Sequence, residues 1–295
     1  MNSFQLAFEA IGTRWVIDCF NSSKTREEIL KIISDRIEEF DKTYSRFRKD
    51  SIVWKISEKK GEYKFPHDSK ELFSLYEKLE LITNSAFTLL IGNTLVEAGY
   101  DSEYKLAPGE INKLPKSSEI YSFKFPVLTI TKPFVLDFGG LGKGYLIDII
   151  AKLLLENNIN TFTIDGGGDI YYKNDEKTLS VGLEHPGNFK QVIGIAKIKN
   201  QSIAASSGNR RAWDRFHHII DANSLKSPDK ILATWVVSRD AVTADGLATC
   251  LFFASPEKLL KYFDFEYLIL YPDYSFKKSK NFPAELFIQK ENLVQ

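Results

Sequence analysis

The first hydrophobic pattern lies near the amino end of the chain. Residues 4–20 contain closely spaced aromatic and β-branched residues, including Trp15 and Ile17, which favour a strand or a hairpin. Thr25 and Glu28 then have the three-residue spacing of a helix-capping box. The apolar residues that follow recur every three or four positions and predict the buried face of a helix: Ile29, Ile33, Ile37 and Phe40.

Two further stretches have the same helical period. One starts after Ser69 and ends before Asn84, and the other runs from about Tyr145 to the Asn157-Asn158 pair. Between and after them lie strand-like stretches at residues 127–130, 135–138, 161–164, 192–198 and 233–238. The Lys199-Asn200 pair predicts a hairpin turn before residues 202–205.

The strands come in hairpin-like groups separated by one or two helices, without strict alternation of strand and helix. This order predicts an α+β fold. The chain shows no repeat of fixed period and no Gly/Ser-rich linker. We therefore expect either one domain over residues 1–295 or two intertwined subdomains with a seam near residues 107–118.

Charge and composition exclude several classes of protein. Lys and Arg number 39, as do Asp and Glu, so there is no strong basic field to attract nucleic acid. No apolar run approaches the roughly 20 residues of a membrane helix, and the start lacks a signal-peptide pattern. As written the chain is expected to be cytoplasmic, or periplasmic or surface-anchored if the true start lies upstream. Cys19 and Cys250 are expected to be buried thiols.

The densest chemical signal is LDFGGLGKGYLID, residues 136–148, where a short apolar stretch enters a glycine-rich run and leaves in a helix. Glycines at such a junction let the backbone approach a ligand, and the free amides of a helix start favour phosphate oxygens. Lys143 is followed by Gly144, so the motif is not a Walker A loop. A tight turn that needs positive φ is the structural alternative.

Three more motifs follow. TIDGGGDI, residues 163–170, has three glycines between two aspartates, and a plain hairpin turn is its alternative explanation. His217 and His218 are adjacent, so in a strand only one of them can face a given cleft. In VTADGLATC, residues 242–250, a helix would place Asp245 and Thr249 on one face. That pair suits Mg²⁺, whereas a capping Asp with a Thr bonded to the backbone is the alternative.

The order and spacing of these motifs closely resemble the ApbE family of FAD:protein FMN transferases. Further matching segments are YSRF at residues 44–47, followed by DSIVWKIS, and EAGYD at residues 97–101. The similarity extends over roughly residues 4–270. It implies an α+β architecture of antiparallel sheets with helices, described as a duplicated T-fold-like unit.

The resemblance also implies roles for individual residues. Asp245 and Thr249 would bind Mg²⁺ through their side chains and Gly142 through its carbonyl. His218 matches the family's active-site histidine and is the candidate base, with Asp221 nearby to orient it. Residues that match FAD-binding positions extend over much of the chain: Tyr44, Ser45, Phe47, Tyr100, Asp137, Gly140, Lys143, Gly167, Gly168, Asp169, Ser207 and Gly208.

The implied activity is Mg²⁺-dependent transfer of FMN from FAD to a Thr or Ser hydroxyl of an acceptor protein, with release of AMP. The acceptor would carry a Ser/Thr-Gly-Ala-Thr type sequence. An FAD pyrophosphatase that gives FMN and AMP, or a flavin-binding protein without catalysis, are the alternatives. The chain departs from relatives after Asp221, where Ala222-Asn223-Ser224-Leu225 stands in place of Pro-x-Thr-Gly.

Overall fold

The computed structural model describes residues 2–287. Its helices and strands, in chain order, are β1 (Asn2–Ala10), β2 (Thr13–Ser22), α1 (Arg26–Tyr44), α2 (Ile52–Glu58), β3 (Gly61–Lys64), α3 (Ser69–Ile82), α4 (Ile91–Glu97), α5 (Ser117–Ile120), β4 (Tyr121–Lys124), β5 (Val127–Ile130), α6 (Gly139–Glu156), β6 (Thr161–Gly166), β7 (Asp169–Lys173), β8 (Leu179–His185), β9 (Asn188–Ile198), β10 (Gln201–Ser207), β11 (Ala212–Trp213), β12 (Phe216–His217), β13 (Ala233–Ser238), α7 (Ala241–Cys250), α8 (Pro256–Leu259), β14 (Glu266–Leu270), β15 (Phe276–Lys278) and β16 (Ala284–Leu286). A 3₁₀ turn, Gly208–Arg211, joins β10 to β11.

The chain divides into two compact units. The first comprises the chain up to Ile37, the segment Gly140–Arg210 and the chain from Asp229 onward. The second comprises Glu38–Gly139 and Arg211–Pro228. Residues 107–118, where the sequence suggests a seam, lie within the second unit, and the seam stays a prediction.

The first unit is built on an eight-stranded sheet in the order β1-β2-β6-β7-β10-β13-β14-β15. A three-stranded sheet, β16-β9-β8, belongs to the same unit. Every neighbouring pair in both sheets is antiparallel. Antiparallel sheets combined with helices confirm the α+β prediction.

Strand β13 shows how the large sheet is covered on both faces. Ala233, Trp235 and Val237 belong to a core cluster with side chains of β8 and β9. Thr234 Oγ1 instead donates to the carbonyl of Ala248 in α7 (2.6 Å). Because successive side chains of a strand point to opposite faces, the three-stranded sheet covers one face and α7 covers the other.

The second unit has the three-stranded sheet β3-β5-β4, the hairpin β11-β12 and the helices α2 to α5. Its core is strongly aromatic. The ring centroid of Phe73 lies 4.0 Å from that of Phe123, 5.1 Å from Phe65 and 5.5 Å from Phe138. Aromatic pairs at these distances contribute about 0.5–1.5 kcal/mol each beyond the area they bury.

The signals at the helix ends are confirmed. Thr25 N donates to the Glu28 carboxylate (2.7 Å) and Glu28 N donates to Thr25 Oγ1 (3.2 Å), which is a capping box at the start of α1. Asn84 and Ser85 follow α3 with φ of +52° and +65°. Left-handed residues cannot continue a right-handed helix, so the chain turns there.

Two predictions of strand structure are wrong. Residues 135–138 form no strand, because Val135 N donates to Asn93 Oδ1 (2.7 Å) and the segment packs against α4. Residues 199–200 do not close a hairpin, because β9 pairs with β8 and β16 whereas β10 pairs with β7 and β13. Asn200, with φ of +51°, leads the chain from one sheet into the other.

Both cysteines are buried free thiols, as the sequence predicts. Burial, reinforced by the charge of Asp18, raises the pKa of Cys19 to about 12, so its thiol stays protonated. Among residues 2–287, no helix has both the length and the apolar character that a membrane crossing requires.

Candidate active site

The glycine-rich motif forms the start of α6. The helix begins at Gly139, well before Tyr145, the start that the sequence predicts. None of the motif's glycines has a positive φ, so the tight-turn alternative is wrong. Gly144 is instead needed for close packing, because a Cβ there would lie 2.2 Å from the Ala241 carbonyl oxygen and 2.7 Å from Val242 Cα. The backbones of α6 and α7 therefore touch at this glycine.

Three charged side chains meet beside this contact. Lys143 Nζ donates to Asp169 Oδ2 (2.6 Å) and to Asp245 Oδ1 (2.8 Å). Both carboxylates are only 3% exposed, whereas the Lys143 side chain is 27% exposed. Burial opposes the charge of Lys143, but the two carboxylates outweigh it and raise the pKa of the ammonium. The lysine therefore stays charged and can be reached from solvent.

Each carboxylate in this group also has a backbone donor. Gly144 N donates to Asp245 Oδ2 (2.9 Å) and Ala205 N donates to Asp169 Oδ1 (3.2 Å). Burial nevertheless raises the pKa of Asp245 above its usual range, with the ammonium of Lys143 working against the shift. The two acids are thus held in place by main chain as well as by the lysine.

The start of α7 is fixed by two aspartates. Asp240 is the N-cap and accepts from Thr243 N (2.8 Å). Asp148 of α6 accepts from Ala241 N and Val242 N, both at 2.8 Å. The first backbone N–H groups of a helix lack intrahelical partners and carry partial positive charge, so these carboxylates satisfy and stabilise the end of α7.

Asp245 and Thr249 lie one turn apart on α7. Thr249 Oγ1 shares a hydrogen bond with Ser206 Oγ (3.1 Å) and makes a long contact with the Asp245 carbonyl (3.4 Å). The N-cap of α7 is Asp240, so the alternative of Asp245 as a cap is wrong, while the contact of Thr249 with the backbone is present.

These oxygen donors fit a small divalent cation. In residues 2–287, no group of three or more His, Cys, Asp and Glu side chains is arranged to hold a metal ion. Mg²⁺, however, is often bound by one or two carboxylates together with water and phosphate oxygens, so the chemistry of the Asp245 carboxylate and the Thr249 hydroxyl is suitable, and their role as ligands stays a prediction. The Lys143 ammonium at 2.8 Å from Asp245 shows that the site stabilises a positive charge. Gly142 lies in the first turn of α6, and its carbonyl as a ligand stays a prediction.

The TIDGGGDI motif forms the turn of the β6-β7 hairpin. Gly167 and Gly168 have φ of +71° and +98°, and Gly168 N donates to Asp165 Oδ1 (2.7 Å). The turn leads directly to Asp169, whose carboxylate contacts Lys143. The hairpin alternative is therefore correct, and the same hairpin delivers an acid to the charged group.

Two further predicted FAD contacts follow β10. Ser207 ends the strand and Gly208 begins the 3₁₀ turn. Ser207 Oγ accepts from Asn209 N (3.3 Å), and Asn209 Nδ2 donates to the Pro186 carbonyl (2.8 Å). The predicted residues of the first unit are Gly140, Gly142, Lys143, Gly167, Gly168, Asp169, Ser207, Gly208, Asp245 and Thr249.

The second unit contains the remaining predicted residues: Tyr44, Ser45, Phe47, Tyr100, Asp137, His218 and Asp221. Asp137 is paired with Arg46, whose Nε donates to Asp137 Oδ2 (2.5 Å) and whose Nη1 donates to the Tyr100 carbonyl (2.9 Å). The Arg46 side chain is 4% exposed, and its Nη2 is buried without a hydrogen-bond partner in the described structure. Arg46 is not among the residues predicted from the sequence.

Aromatic rings surround this arginine. Its guanidinium carbon lies 4.1 Å from the ring centroid of Phe47 and 5.0 Å from that of Tyr100. Tyr104 stacks on Phe47, and Trp213 stacks on Tyr100 with centroids 5.6 Å apart. Phe47 and Tyr104 are both exposed, but the ring of Phe47 is already stacked by Tyr104 and contacted by Arg46, so Tyr104 is the better placed of the two to stack on a planar ligand.

Tyr44 and Ser45 lie at the end of α1 and just after it. Tyr44 is buried against Phe40 and Phe138, with ring centroids 4.9 Å and 5.1 Å away. Ser45 Oγ accepts from Phe47 N (3.3 Å). Both side chains therefore have structural contacts, and their predicted contact with flavin stays a prediction.

The two adjacent histidines have different surroundings. His217 Nε2 donates to the Pro228 carbonyl (3.0 Å), and His217 Nδ1 accepts from Ile219 N (3.3 Å). This pairing requires the neutral ring, and burial lowers the pKa of His217. His218 is half-buried, and its backbone N donates to the Arg211 carbonyl (3.1 Å). His217 is thus held by backbone contacts, and the catalytic role of His218 stays a prediction.

Asp221 begins the turn in which this chain departs from the family pattern. Its Oδ1 accepts from Asn223 N (2.8 Å) and Ser224 N (3.3 Å), and its backbone forms a bridge with Lys226. These contacts stabilise the turn itself. The role of Asp221 in orienting His218 stays a prediction.

Sequence reasoning missed Arg46, Asp148 and Ser206. Arg46 lies between two selected residues, and a charged residue in a segment that packs into the core is a signal of a buried ion pair. Asp148 ends the glycine-rich motif, yet no local pattern links it to the start of α7. Ser206 is one of several similar serines, and only the fold singles it out.

A sequence model described as the ApbE family matches residues 11–269 of the chain. The chain belongs to the ApbE family. This confirms the resemblance that the motifs indicated. An ApbE relative from Buchnera aphidicola subsp. Schizaphis graminum, named FAD:protein FMN transferase, is 23% identical over 83% of this chain and 78% of that protein.

Solved ApbE structures have the same fold as this chain. The ApbE protein from Thermotoga maritima superposes with a TM-score of 0.82 at 20% identity, covering 96% of this chain and 100% of that one. The flavin transferase ApbE from Vibrio cholerae gives a TM-score of 0.75 at 18% identity, covering 94% and 97%. The predicted ApbE-like architecture is therefore confirmed.

Proposed function

We propose that this ApbE protein transfers the FMN part of FAD to a Thr or Ser hydroxyl of an acceptor protein in a Mg²⁺-dependent reaction. The hydroxyl oxygen attacks the FMN-side phosphorus, the bond from that phosphorus to the bridging oxygen breaks, and AMP leaves with that oxygen. The observation that carries the proposal is the convergence of Lys143, Asp169 and Asp245 where α6 and α7 touch. Family membership and the names of its relatives support the choice of substrate.

The first unit supplies binding groups for a diphosphate. The first turn of α6 from Gly140 onward presents backbone N–H groups, which favour phosphate oxygens. The ammonium of Lys143 adds a positive charge that solvent can reach. Mg²⁺ held by Asp245, Thr249 and the Gly142 carbonyl would neutralise charge that develops on the phosphates.

The second unit supplies a base. An alcohol is a weak nucleophile at neutral pH, so its proton must be removed as the new bond forms. Both ring nitrogens of His217 form hydrogen bonds with backbone groups of Pro228 and Ile219, and His218 is the histidine that matches the active-site position of the family. We propose that His218 accepts the proton of the acceptor hydroxyl. Tyr104 offers an exposed ring for stacking on the flavin or the adenine.

The test is one incubation of the protein with FAD, Mg²⁺ and an acceptor domain that carries a Ser/Thr-Gly-Ala-Thr type sequence. Mass spectrometry of the acceptor is the readout, with AMP measured in the same sample. We expect the acceptor to gain the mass of an FMN group, with one AMP released per transfer. Free FMN and AMP with an unmodified acceptor would identify a hydrolase, and intact FAD throughout would contradict both activities.

A further inference from the structure

The ammonium of Lys143 is in contact with the carboxylate of Asp245, the predicted cation ligand. It lies 2.8 Å from Asp245 Oδ1 and 2.6 Å from Asp169 Oδ2. Two carboxylates and one ammonium leave one net negative charge in this group. A divalent cation that approaches Asp245 therefore meets a positive charge already in contact with the same oxygen.

We propose that Lys143 is an internal counter-cation that makes divalent-cation binding at Asp245 depend on the dinucleotide. The inference rests on the proposed cation site. In the free protein, repulsion from Lys143 keeps the cation affinity low. A bound diphosphate brings negative charge that offsets the ammonium, so cation and dinucleotide bind cooperatively. By linkage, each raises the affinity of the other by the same factor.

The carboxylates do not depend on Lys143 alone for their positions. Gly144 N donates to Asp245 Oδ2 (2.9 Å), and Ala205 N donates to Asp169 Oδ1 (3.2 Å). Replacing Lys143 by Met therefore removes a charge while each acid keeps a backbone hydrogen bond. Low local dielectric strengthens the remaining attraction for a cation, because both carboxylates are buried.

Lys173 provides a matched control. Its Nζ lies 2.8 Å from Asp175 Oδ1, and its side chain is 24% exposed, close to the 27% of Lys143. Its partner, however, is an exposed carboxylate. The same Lys-to-Met change at residue 173 therefore removes an ion pair outside the charged group.

The experiment titrates Mn²⁺ into wild type, Lys143→Met and Lys173→Met at pH 8, with free Mn²⁺ counted by electron paramagnetic resonance, without and with saturating FAD. Without FAD, we expect Lys143→Met to bind Mn²⁺ about tenfold more tightly than wild type or more. Lys173→Met should match wild type. With FAD, wild-type affinity should rise and the difference from Lys143→Met should shrink.

Equal or weaker Mn²⁺ binding by folded Lys143→Met without FAD would overturn the inference. Asp245→Asn separates this failure from a failure of the proposed site: if wild type binds Mn²⁺ but Asp245→Asn binds it equally well, the site itself is wrong. If Lys143→Met does not fold, Lys143→Met/Asp169→Asn restores the net charge of the group. That double variant should match wild type without FAD, and a large departure in either direction would overturn the inference.

Discussion

Arg46 and Arg48 show how strongly the surroundings of an arginine determine its contribution to the stability of the fold. The Arg46 side chain is 4% exposed and pairs with Asp137, which is 12% exposed. Arg48 is 31% exposed, and its partners Glu38 and Asp50 are largely in solvent. Removing one member of a buried pair leaves an uncompensated charge, whereas exposed pairs are screened by water and salt.

Arg46→Met should therefore lower the free energy of unfolding by about 3–5 kcal/mol, because the buried Asp137 carboxylate loses its counter-charge. The measurement is urea unfolding followed by circular dichroism. Arg48→Met is the matched control and should have a much smaller effect. Equal losses for the two variants would show that the Arg46 pair is not a buried pair in solution.

Replacing His218 is expected to lower the rate of FMN transfer without affecting FAD binding. His218→Ala should keep FAD binding and lose about 10²–10⁴-fold in the rate of FMN transfer, which is the usual contribution of a positioned base. FAD binding is measured by fluorescence and transfer by acceptor mass. His67→Ala, which removes a histidine packed on Phe125, is the control and should retain both. A parallel loss of binding and transfer in His218→Ala would give the residue a structural role instead.

At the scale of elements, α6 and α7 are fixed to each other by backbone contacts. Gly144 lets the two helices touch, and Asp148 of α6 accepts from the first N–H groups of α7. Gly144 N also donates to Asp245 of α7. The position of Asp245 is therefore set by how closely the two helices pack.

Gly144→Ala tests this packing. In an exposed helix the change from Gly to Ala stabilises by about 1 kcal/mol. Here the added Cβ would lie 2.2 Å from the Ala241 carbonyl oxygen, so we expect a net loss of about 1–3 kcal/mol in the free energy of unfolding, with weaker Mn²⁺ binding. Gly109→Ala, whose Cβ would meet only the Glu97 carbonyl oxygen at 3.5 Å, is the control. A stabilised Gly144→Ala would contradict the close contact.

The elements themselves were largely predictable because their signals are local. The capping box of Thr25 and Glu28 and the period of α3 needed no knowledge of the rest of the chain. The sequence predicts the start of α6 too late, because glycine is a poor helix former. Only the contact of Gly144 with α7 explains a glycine-rich helix start. Local propensity cannot report a contact with a residue that lies far away in sequence.

At the scale of the whole molecule, the sequence did not predict which strands pair with each other or which charged side chains contact each other. β9 and β10 are consecutive, yet they belong to different sheets, because alternation indicates a strand without naming its neighbour. The motifs predicted Lys143, Asp169 and Asp245 as site residues, but their mutual contacts depend on the topology that joins β7, α6 and α7.

Buried acids give the whole molecule a specific pH dependence. Burial raises the pKa of Asp148 to about 7, although two N–H groups of α7 work against the shift. An Asp in the unfolded chain titrates near pH 4. The folded protein thus holds the Asp148 proton more tightly than the unfolded chain does. The stabilisation that comes from this proton is complete below about pH 4 and is lost as the pH rises through about 7.

Asp148→Asn, which mimics the protonated acid, should gain stability relative to wild type as the pH rises from 5 to 8. Urea unfolding at several pH values measures the difference. Asp175→Asn is the control: its hydrogen bond to Lys173 lowers the pKa of Asp175, so that difference should stay constant over the same range. A constant difference for Asp148→Asn would mean that Asp148 has an ordinary pKa in the folded protein.

The most direct test is the anomalous difference map of crystals grown with Mn²⁺ and FAD. In the proposed site, α6 and α7 together hold a divalent cation against the diphosphate of the dinucleotide. We expect one strong peak about 2 Å from an Asp245 carboxylate oxygen and from Thr249 Oγ1, in contact with a phosphate oxygen of FAD. The proposal would be contradicted if FAD is ordered in the crystal but its phosphates and the Mn²⁺ peak lie away from Asp245 and Thr249.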